Sequence, residues 1–147
     1  MKSESDQQPK YRSRYARQSR LPEIGDQGQR RLRQSTVAVV GLGALGSVAA
    51  EILCRAGVGN LILIDRDCVE LSNLHRQTLY SEADATAGVP KAVAGERRLS
   101  ELNSELQLSA LTEELTRRNA GRLLESADLV VDGTDNRCSR YAINDAA

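Results

Sequence analysis

"STVAVVGLGALGSVAAEILCRAGVGNLILID", Ser35–Asp65, decides the fold. Thr36–Val40 (TVAVV) is β-branched but for Ala38 and apolar after Thr36, the composition of a strand buried on both faces of a parallel sheet. Gly41, Gly43 and Gly46 follow as G-x-G-x-x-G. Ala44–Ala56 then carries small and apolar residues suited to a helix lying on that sheet, and Gly57 stops it. Leu61–Asp65 is a second buried strand. In a turn of this kind the first glycine permits a tight bend. The second lets backbone approach a phosphate, and the third lets helix and strand pack closely. The helix N-terminus offers free N–H groups and partial positive charge to the phosphate. Ala44 and Leu45 belong to the same binding turn. Asp65 stands nineteen residues after Gly46, at the end of the second strand, where a carboxylate accepts hydrogen bonds from ribose hydroxyls. These features predict a nucleotide site, and by themselves they leave open an NAD- or FAD-binding oxidoreductase.

Outward from this unit the pattern continues as α/β. A short helix is predicted over Gln27–Gln34, with Arg30, Arg31 and Arg33 solvated. Residues 66–90 read as a long irregular loop, and loops of that length in compact domains are commonly functional. Pro90 suits the first turn of a helix over Pro90–Leu102, with an apolar stripe of Val89, Ala92, Val93, Leu99 and Leu102. Leu106–Leu111 alternates as a third strand, Asn119–Glu125 forms a short helix, Leu129–Asp132 a fourth strand, and the tail from Arg137 another helix. The resulting fold class is a Rossmann-like, mainly parallel sheet with helices on both faces. The glycine turn then lies at the carboxyl ends of the strands, where such sheets bind ligands. Residues 1–13 are polar and are expected to form a disordered basic arm, with the nucleotide-binding domain over 14–147.

Composition narrows the function classes. A chain of 147 residues suits one domain, and its 40% hydrophobic content permits a core. That core must be aliphatic, because the aromatics are Tyr11, Tyr15, Tyr80 and Tyr141. No apolar run approaches the roughly 20 residues that cross a bilayer, and the N-terminus has no signal-peptide pattern. No membrane association is expected, and the expected location is cytoplasmic. Cys54, Cys68 and Cys138 form no C-x-x-C pair, so neither a disulfide framework nor a zinc site is expected, and no cysteine is given a catalytic role. Net charge is zero but uneven, since residues 1–35 hold nine basic and four acidic side chains. No zinc-finger or RNP pattern accompanies that basic arm, so nucleic acid is not an expected partner.

Five stretches carry a family resemblance. They are "RYARQ" (14–18), "GLGALGS" (41–47), "AGVGNLILIDRDCVELSNLHRQ" (56–77), "GVPKAVAGERRLSELN" (88–103) and "DGTDN" (132–136). With them the chain resembles the N-terminal portion of the MoeB/ThiF/HesA superfamily, adenylating enzymes related to ubiquitin-activating enzymes. The resemblance implies ATP and Mg²⁺ in place of a dinucleotide. It also implies adenylation of the C-terminal Gly-Gly carboxylate of a ubiquitin-like sulfur-carrier protein of the MoaD/ThiS type. On matching positions Asp65 would hold the ribose, Asn73, Arg76 and Lys91 would contact the phosphates, and Asp67 and Gln77 would also bind the nucleotide. Asp135 would be the magnesium-associated acid, with Asp132 and Asn136 nearby. Arg17 would act in trans in a homodimer.

The chemistry agrees with those residue types. A carboxylate attacking ATP brings anions together, so cations must offset charge moving onto pyrophosphate. A carboxylate ionised at neutral pH needs no general base. Plainer roles stand beside these. Asp132 and Asp135 could cap the following helix, Lys91 could be a solvated surface lysine, and His75 fits packing or hydrogen bonding better than proton transfer. Full-length superfamily members have a crossover loop that often carries a catalytic cysteine, and frequently a zinc site of two C-x-x-C pairs, neither of which occurs in this sequence. The expectation is therefore an N-terminal fragment, ending after about four strands with Val130 on an uncovered edge. An inactive interaction fragment is the alternative.

Overall fold

The computed structural model describes residue 11 and residues 13–146. Its centre is one parallel four-stranded sheet of β1 (Thr36–Val40), β2 (Asn60–Ile64), β3 (Gln107–Leu111) and β4 (Leu129–Asp132). The order across the sheet is β3-β2-β1-β4. β1 registers Val37 against Leu61 on one side and Leu129 on the other, so the glycine turn leaves from the middle of the sheet.

The unbroken apolar run of β1 is explained by its two faces. Val37 and Val39 pack with Leu61 and Leu63 beneath α2 (Ala44–Ala56) and α4 (Lys91–Leu102), through Ala50, Cys54, Ala92 and Leu99. Ala38 and Val40 pack with Ile62 and Ile64 beneath α5 (Ala120–Leu124) and α6 (Arg137–Ala146), through Leu123, Leu124, Ala142 and Ile143. Each strand residue thus faces a helix on one side or the other, and no polar residue is tolerated between Val37 and Val40. The outer strands are less covered; β3 and β4 contain only exposed and half-buried residues.

β2, β3 and α5 differ by one residue at one or both ends from the expected spans, and three further expectations change. The helix before β1, α1 (Gly25–Gln34), begins at Gly25 rather than Gln27. Pro90 caps α4 from outside, and its first helical residue is Lys91. The stretch 66–90 is not structureless: it holds a 3-10 turn at Leu71–Asn73 and a helix, α3 (Glu82–Thr86). α3 is too short to show a period, but its start is marked by a reciprocal cap. The Ser81 hydroxyl oxygen accepts from the Asp84 amide, and the Asp84 carboxylate accepts from the Ser81 amide. Asp84 is buried and also pairs with Arg97 of α4, which fixes the loop to the body.

Of the expected arm over 1–13, only Tyr11 and Ser13 are among the described residues. Tyr11 is buried, its ring 4.6 Å from that of Tyr15, and its hydroxyl donates to the Gln29 carbonyl at 3.0 Å. Packing therefore reaches N-terminal of Arg14. Among the described residues no helix is long and apolar enough to cross a membrane.

Candidate nucleotide-binding cleft

At the carboxyl ends of the strands lies a cleft of about 550 Å³. Its floor is the glycine turn. Gly41 has φ +82°, in the left-handed region, and starts the bend. A Cβ on Gly46 would run into the Gly41 carbonyl, and one on Gly133 would lie 2.5 Å from that same oxygen. The turn after β1 and the turn after β4 thus interlock through three glycines. Gly43 differs, since a Cβ there would meet nothing within 4 Å. The space above it is open at the N-terminus of α2, where a phosphate would approach.

Asp65 is fixed by backbone on both carboxylate oxygens. Oδ2 accepts from the Leu42 amide at 2.6 Å and Oδ1 from the Asp67 amide at 2.8 Å. Its remaining lone pairs are left for a ligand. The Tyr80 hydroxyl donates to the Leu42 carbonyl at 2.8 Å, tying the long loop to the glycine turn. Burial pushes the Tyr80 phenol far above its ordinary value, and the nearby Asp65 and Asp84 charges push the same way. It acts only as a neutral donor.

Lys91 enters the cleft because residues 67–69 run antiparallel to 89–91. The Lys91 amide donates to the Asp67 carbonyl at 2.8 Å, and the Val69 amide to the Val89 carbonyl at 2.9 Å. A bridge joins Cys68 and Pro90 between them. The Lys91 side chain is 9% exposed, and its Nζ lies 3.2 Å from Asp67 Oδ2. It is therefore not a solvated surface lysine. Asn73 and Gln77 are buried in the wall, and Gln77 Oε1 has no hydrogen-bond partner. Arg76 is exposed, with its guanidinium donating to the Ser72 carbonyl at 3.0 Å.

The far wall is the loop from β4 to α6. Asp132 Oδ1 accepts from the Thr134 amide at 2.9 Å and hydroxyl at 2.6 Å, and Oδ2 lies 3.7 Å from Arg140 Nε. Arg140 also donates to the Thr134 carbonyl at 3.0 Å. Asn136 Oδ1 accepts from the Ser139 amide at 2.8 Å, the geometry of a helix cap. Asp132 and Asn136 are therefore engaged in shaping this loop. Asp135 is exposed and has no such partner.

One cleft collects Gly41, Gly43, Ala44, Leu45, Asp65, Asp67, Asn73, Arg76, Gln77, Lys91, Asp135 and Asn136. Gly46 lies beneath it, and Asp132 adjoins it through Arg140. Arg17 is not brought in. It is exposed, and its neighbour Gln18 donates to the Ala56 carbonyl at the far end of α2. A helix of 13 residues is about 20 Å long, well beyond the reach of an arginine side chain. Sequence reasoning missed Arg66, Glu113, Glu114, Leu115, Gly133 and Arg140 in the lining. Gly133 had a signal, being a glycine that ends a buried-type strand as Gly41 does. Arg66–Glu114, an ion pair at 2.8 Å, joins the ends of β2 and β3 and has none. Among the described residues no group of three or more His, Cys, Asp or Glu side chains could hold a metal ion.

The profile of the ThiF family matches residues 15–147. The chain belongs to the ThiF family. Similar curated proteins are the sulfur carrier protein ThiS adenylyltransferase of Bacillus subtilis, at 45% identity, and the sulfur carrier protein adenylyltransferase of Thermus thermophilus, at 46%. Each match spans 134 residues and 91% of this chain, but 40% and 49% of the relative. The chain thus spans less than half the length of these proteins. The adenylyltransferase and sulfurtransferase MOCS3 of Anopheles gambiae is 48% identical over 91% of the chain and 30% of its own length. Among solved structures, the E. coli tRNA N6-threonylcarbamoyladenosine dehydratase TcdA superposes with a TM-score of 0.86 at 28% identity, over 92% of this chain and 56% of that one. Its complex with ATP superposes with a TM-score of 0.83, at 28% identity over 90% and 53%.

Proposed function

We propose that this chain supplies the ATP site of an enzyme that adenylates the C-terminal Gly-Gly carboxylate of a ubiquitin-like sulfur-carrier protein. The observation that carries this reading is the meeting of Lys91, Arg76 and Asp135 with the glycine turn and Asp65 in one cleft. A dinucleotide site accounts for the glycines and Asp65 but gives no work to the two cations and the bare acid across from them. The names of the curated relatives supply the acceptor class. Their 45–48% identity, against 28% for TcdA, favours a protein carboxylate over a tRNA.

The cleft fits ATP on its own geometry. Gly43 leaves room at the helix N-terminus for a phosphate, and Asp65 is held ready for the ribose. In the reaction a carboxylate oxygen of the carrier attacks the α-phosphorus. A new C(O)–O–P bond forms and the bond to the β-phosphate bridging oxygen breaks, giving an acyl-adenylate and pyrophosphate. Lys91 and Arg76 bind the departing phosphates, and their charge offsets what accumulates there. No proton leaves the nucleophile, so no base is assigned. The residues fit Mg²⁺ only in part: Asp135 offers one carboxylate, and such an ion binds mainly through the phosphates and waters. It would add positive charge beside the phosphates. Arg17, far from its own cleft, is assigned to the cleft of a second copy in a homodimer. The domain is read as 14–147, and its location as cytoplasmic.

The test is exchange of labelled pyrophosphate into ATP, dependent on an added carrier ending in Gly-Gly. Carrier-dependent exchange supports the proposal. Exchange by neither this chain nor a longer polypeptide containing it overturns the proposal. Tight NAD binding with weak ATP binding would instead return the oxidoreductase reading.

A further inference from the structure

Asp67 carries the wrong charge for the place it occupies. It lines a cleft read as a triphosphate site, and the role assigned to it rests on that reading. An anion beside bound phosphates costs Coulomb energy. Three of the four contacts of Asp67 nevertheless run between the ribose acid and the phosphate cation. Its amide donates to Asp65 Oδ1 at 2.8 Å, its carbonyl accepts from the Lys91 amide at 2.8 Å, and its carboxylate lies 3.2 Å from Lys91 Nζ. Arg66 Nε stands 3.6 Å from the other carboxylate oxygen.

We propose that Asp67 is a positioning residue for Lys91 and does not contact the nucleotide. Lys91 sits at the start of α4, where the helix dipole disfavours a cation, and its side chain is almost wholly buried. A buried ammonium needs a partner, and Asp67 is the partner the fold gives it. Asp67 uses one of its three N–H donors. The others remain free to meet phosphate oxygens, on an ammonium whose direction is already set. The same residue spaces Asp65 and Lys91 through its backbone, and that spacing survives loss of its carboxylate.

The sign of one substitution decides the matter. Removing an anion from a phosphate site should tighten ATP on charge alone, whereas losing the clamp on Lys91 should weaken it. The measurement is calorimetric titration of the 147-residue chain with ATP and with adenosine, each with Mg²⁺ and with excess chelator. The proteins are wild type, Asp67→Asn, Lys91→Met and the double variant. Asp67→Asn is expected to weaken ATP by about tenfold, the scale of one charged hydrogen bond, with or without Mg²⁺. The double variant should bind no more weakly than Lys91→Met alone, because the effect passes through the ammonium. Adenosine, lacking phosphates, should bind Asp67→Asn as it binds wild type, which also reports a folded site.

Unchanged or tighter ATP binding by Asp67→Asn overturns the proposal. So does full additivity in the double variant, or a loss seen only with Mg²⁺, which would make Asp67 a metal-associated acid. Should Asp67→Asn fail to bind adenosine, Asp67→Glu takes its place, with the longer carboxylate expected to restore most of the ATP affinity. Equal ATP binding by wild type and Lys91→Met is a different failure: it removes Lys91 from the ATP site itself.

Discussion

The wall of the cleft built from β1, β2 and the loop after β2 is tied to the protein body, while the wall built from β4 and the turn into α6 is tied mainly to itself. On the first, Asp65 takes two backbone amides, Tyr80 holds the Leu42 carbonyl, and Lys91 is buried against Asp67. On the second, Asp132, Thr134 and Arg140 satisfy one another and Asn136 takes the Ser139 amide, all within nine residues, and Asp135 projects from the result. The first wall has the build of a binding surface set before the ligand arrives, which limits what ordering costs. The second presents a single acid on a braced loop, suited to a group that matters once charge is moving.

The contrast is sharpest within the glycine turn, and the largest effect is expected there. Gly46→Ala puts a Cβ into the Gly41 carbonyl where helix, turn and the β4 loop interlock. It should destabilise by about 3 kcal/mol or more, because backbone rather than a flexible side chain must move. Gly43→Ala meets nothing and has ordinary dihedrals, so its stability should change by less than about 0.5 kcal/mol. That methyl nevertheless stands where the proposed site puts a phosphate, and ATP affinity should drop. Thermal melts and ATP titrations on both variants test the pair; equal melting points would end the distinction between a packing glycine and a ligand glycine.

Next in size is the division of labour between walls. Lys91→Ala and Asp135→Ala should each reduce carrier-dependent exchange by about 10²–10³-fold, the scale for removing one group that stabilises transition-state charge. They should differ in binding. Lys91→Ala should weaken ATP even under chelator, whereas Asp135→Ala should leave chelator-state binding as it was. If Asp135→Ala weakens ATP without Mg²⁺, the two walls do the same work and the comparison fails.

The legibility of the sequence divides along the same line. Thr36–Asp65 could be read because its residues answer to local rules: a strand buried on both faces cannot alternate, and a helix ending at Gly57 needs a left-handed residue, observed at φ +90°. The boundaries of β1, α2 and β4 stand as expected. α3 and the 3-10 turn escaped because five and three residues carry no period, and α3 is held to the body by Asp84 and Arg97, thirteen positions apart. In the site, Asp65 and the glycines were legible from spacing. Lys91, Arg76 and Asp135 needed the family resemblance, because nothing local distinguishes them from surface charges. The Arg66–Glu114 pair joins elements distant in sequence, and no spacing rule reaches it; Arg140 meets Asp132 and Thr134 across an irregular turn that has no fixed spacing.

Two smaller effects probe how firmly the first wall is fastened. Tyr80→Phe deletes the hydroxyl that ties the long loop to the Leu42 carbonyl, and should cost about 1 kcal/mol. An unchanged urea midpoint would mean that water replaces the bond and the tie is slack.

The smallest effect lies one layer further out, at Asp84. Burial acts to raise its carboxyl, but hydrogen bonds from Ser81 and Arg97 outweigh this and hold it below the ordinary value. A carboxyl depressed by folding adds stability above its unfolded pKa, near 3.9, and loses it as pH falls through the folded value. Asp84→Asn should therefore lower the melting temperature by a constant amount above about pH 5, and the gap should narrow on further acidification. Because Asp84 anchors the loop that carries Tyr80 and leads into Lys91, the same variant should weaken ATP slightly at neutral pH. A gap that persists unchanged to pH 3 would show that Asp84 shapes α3 by its cap alone, and that its charge does nothing to hold the loop against α4.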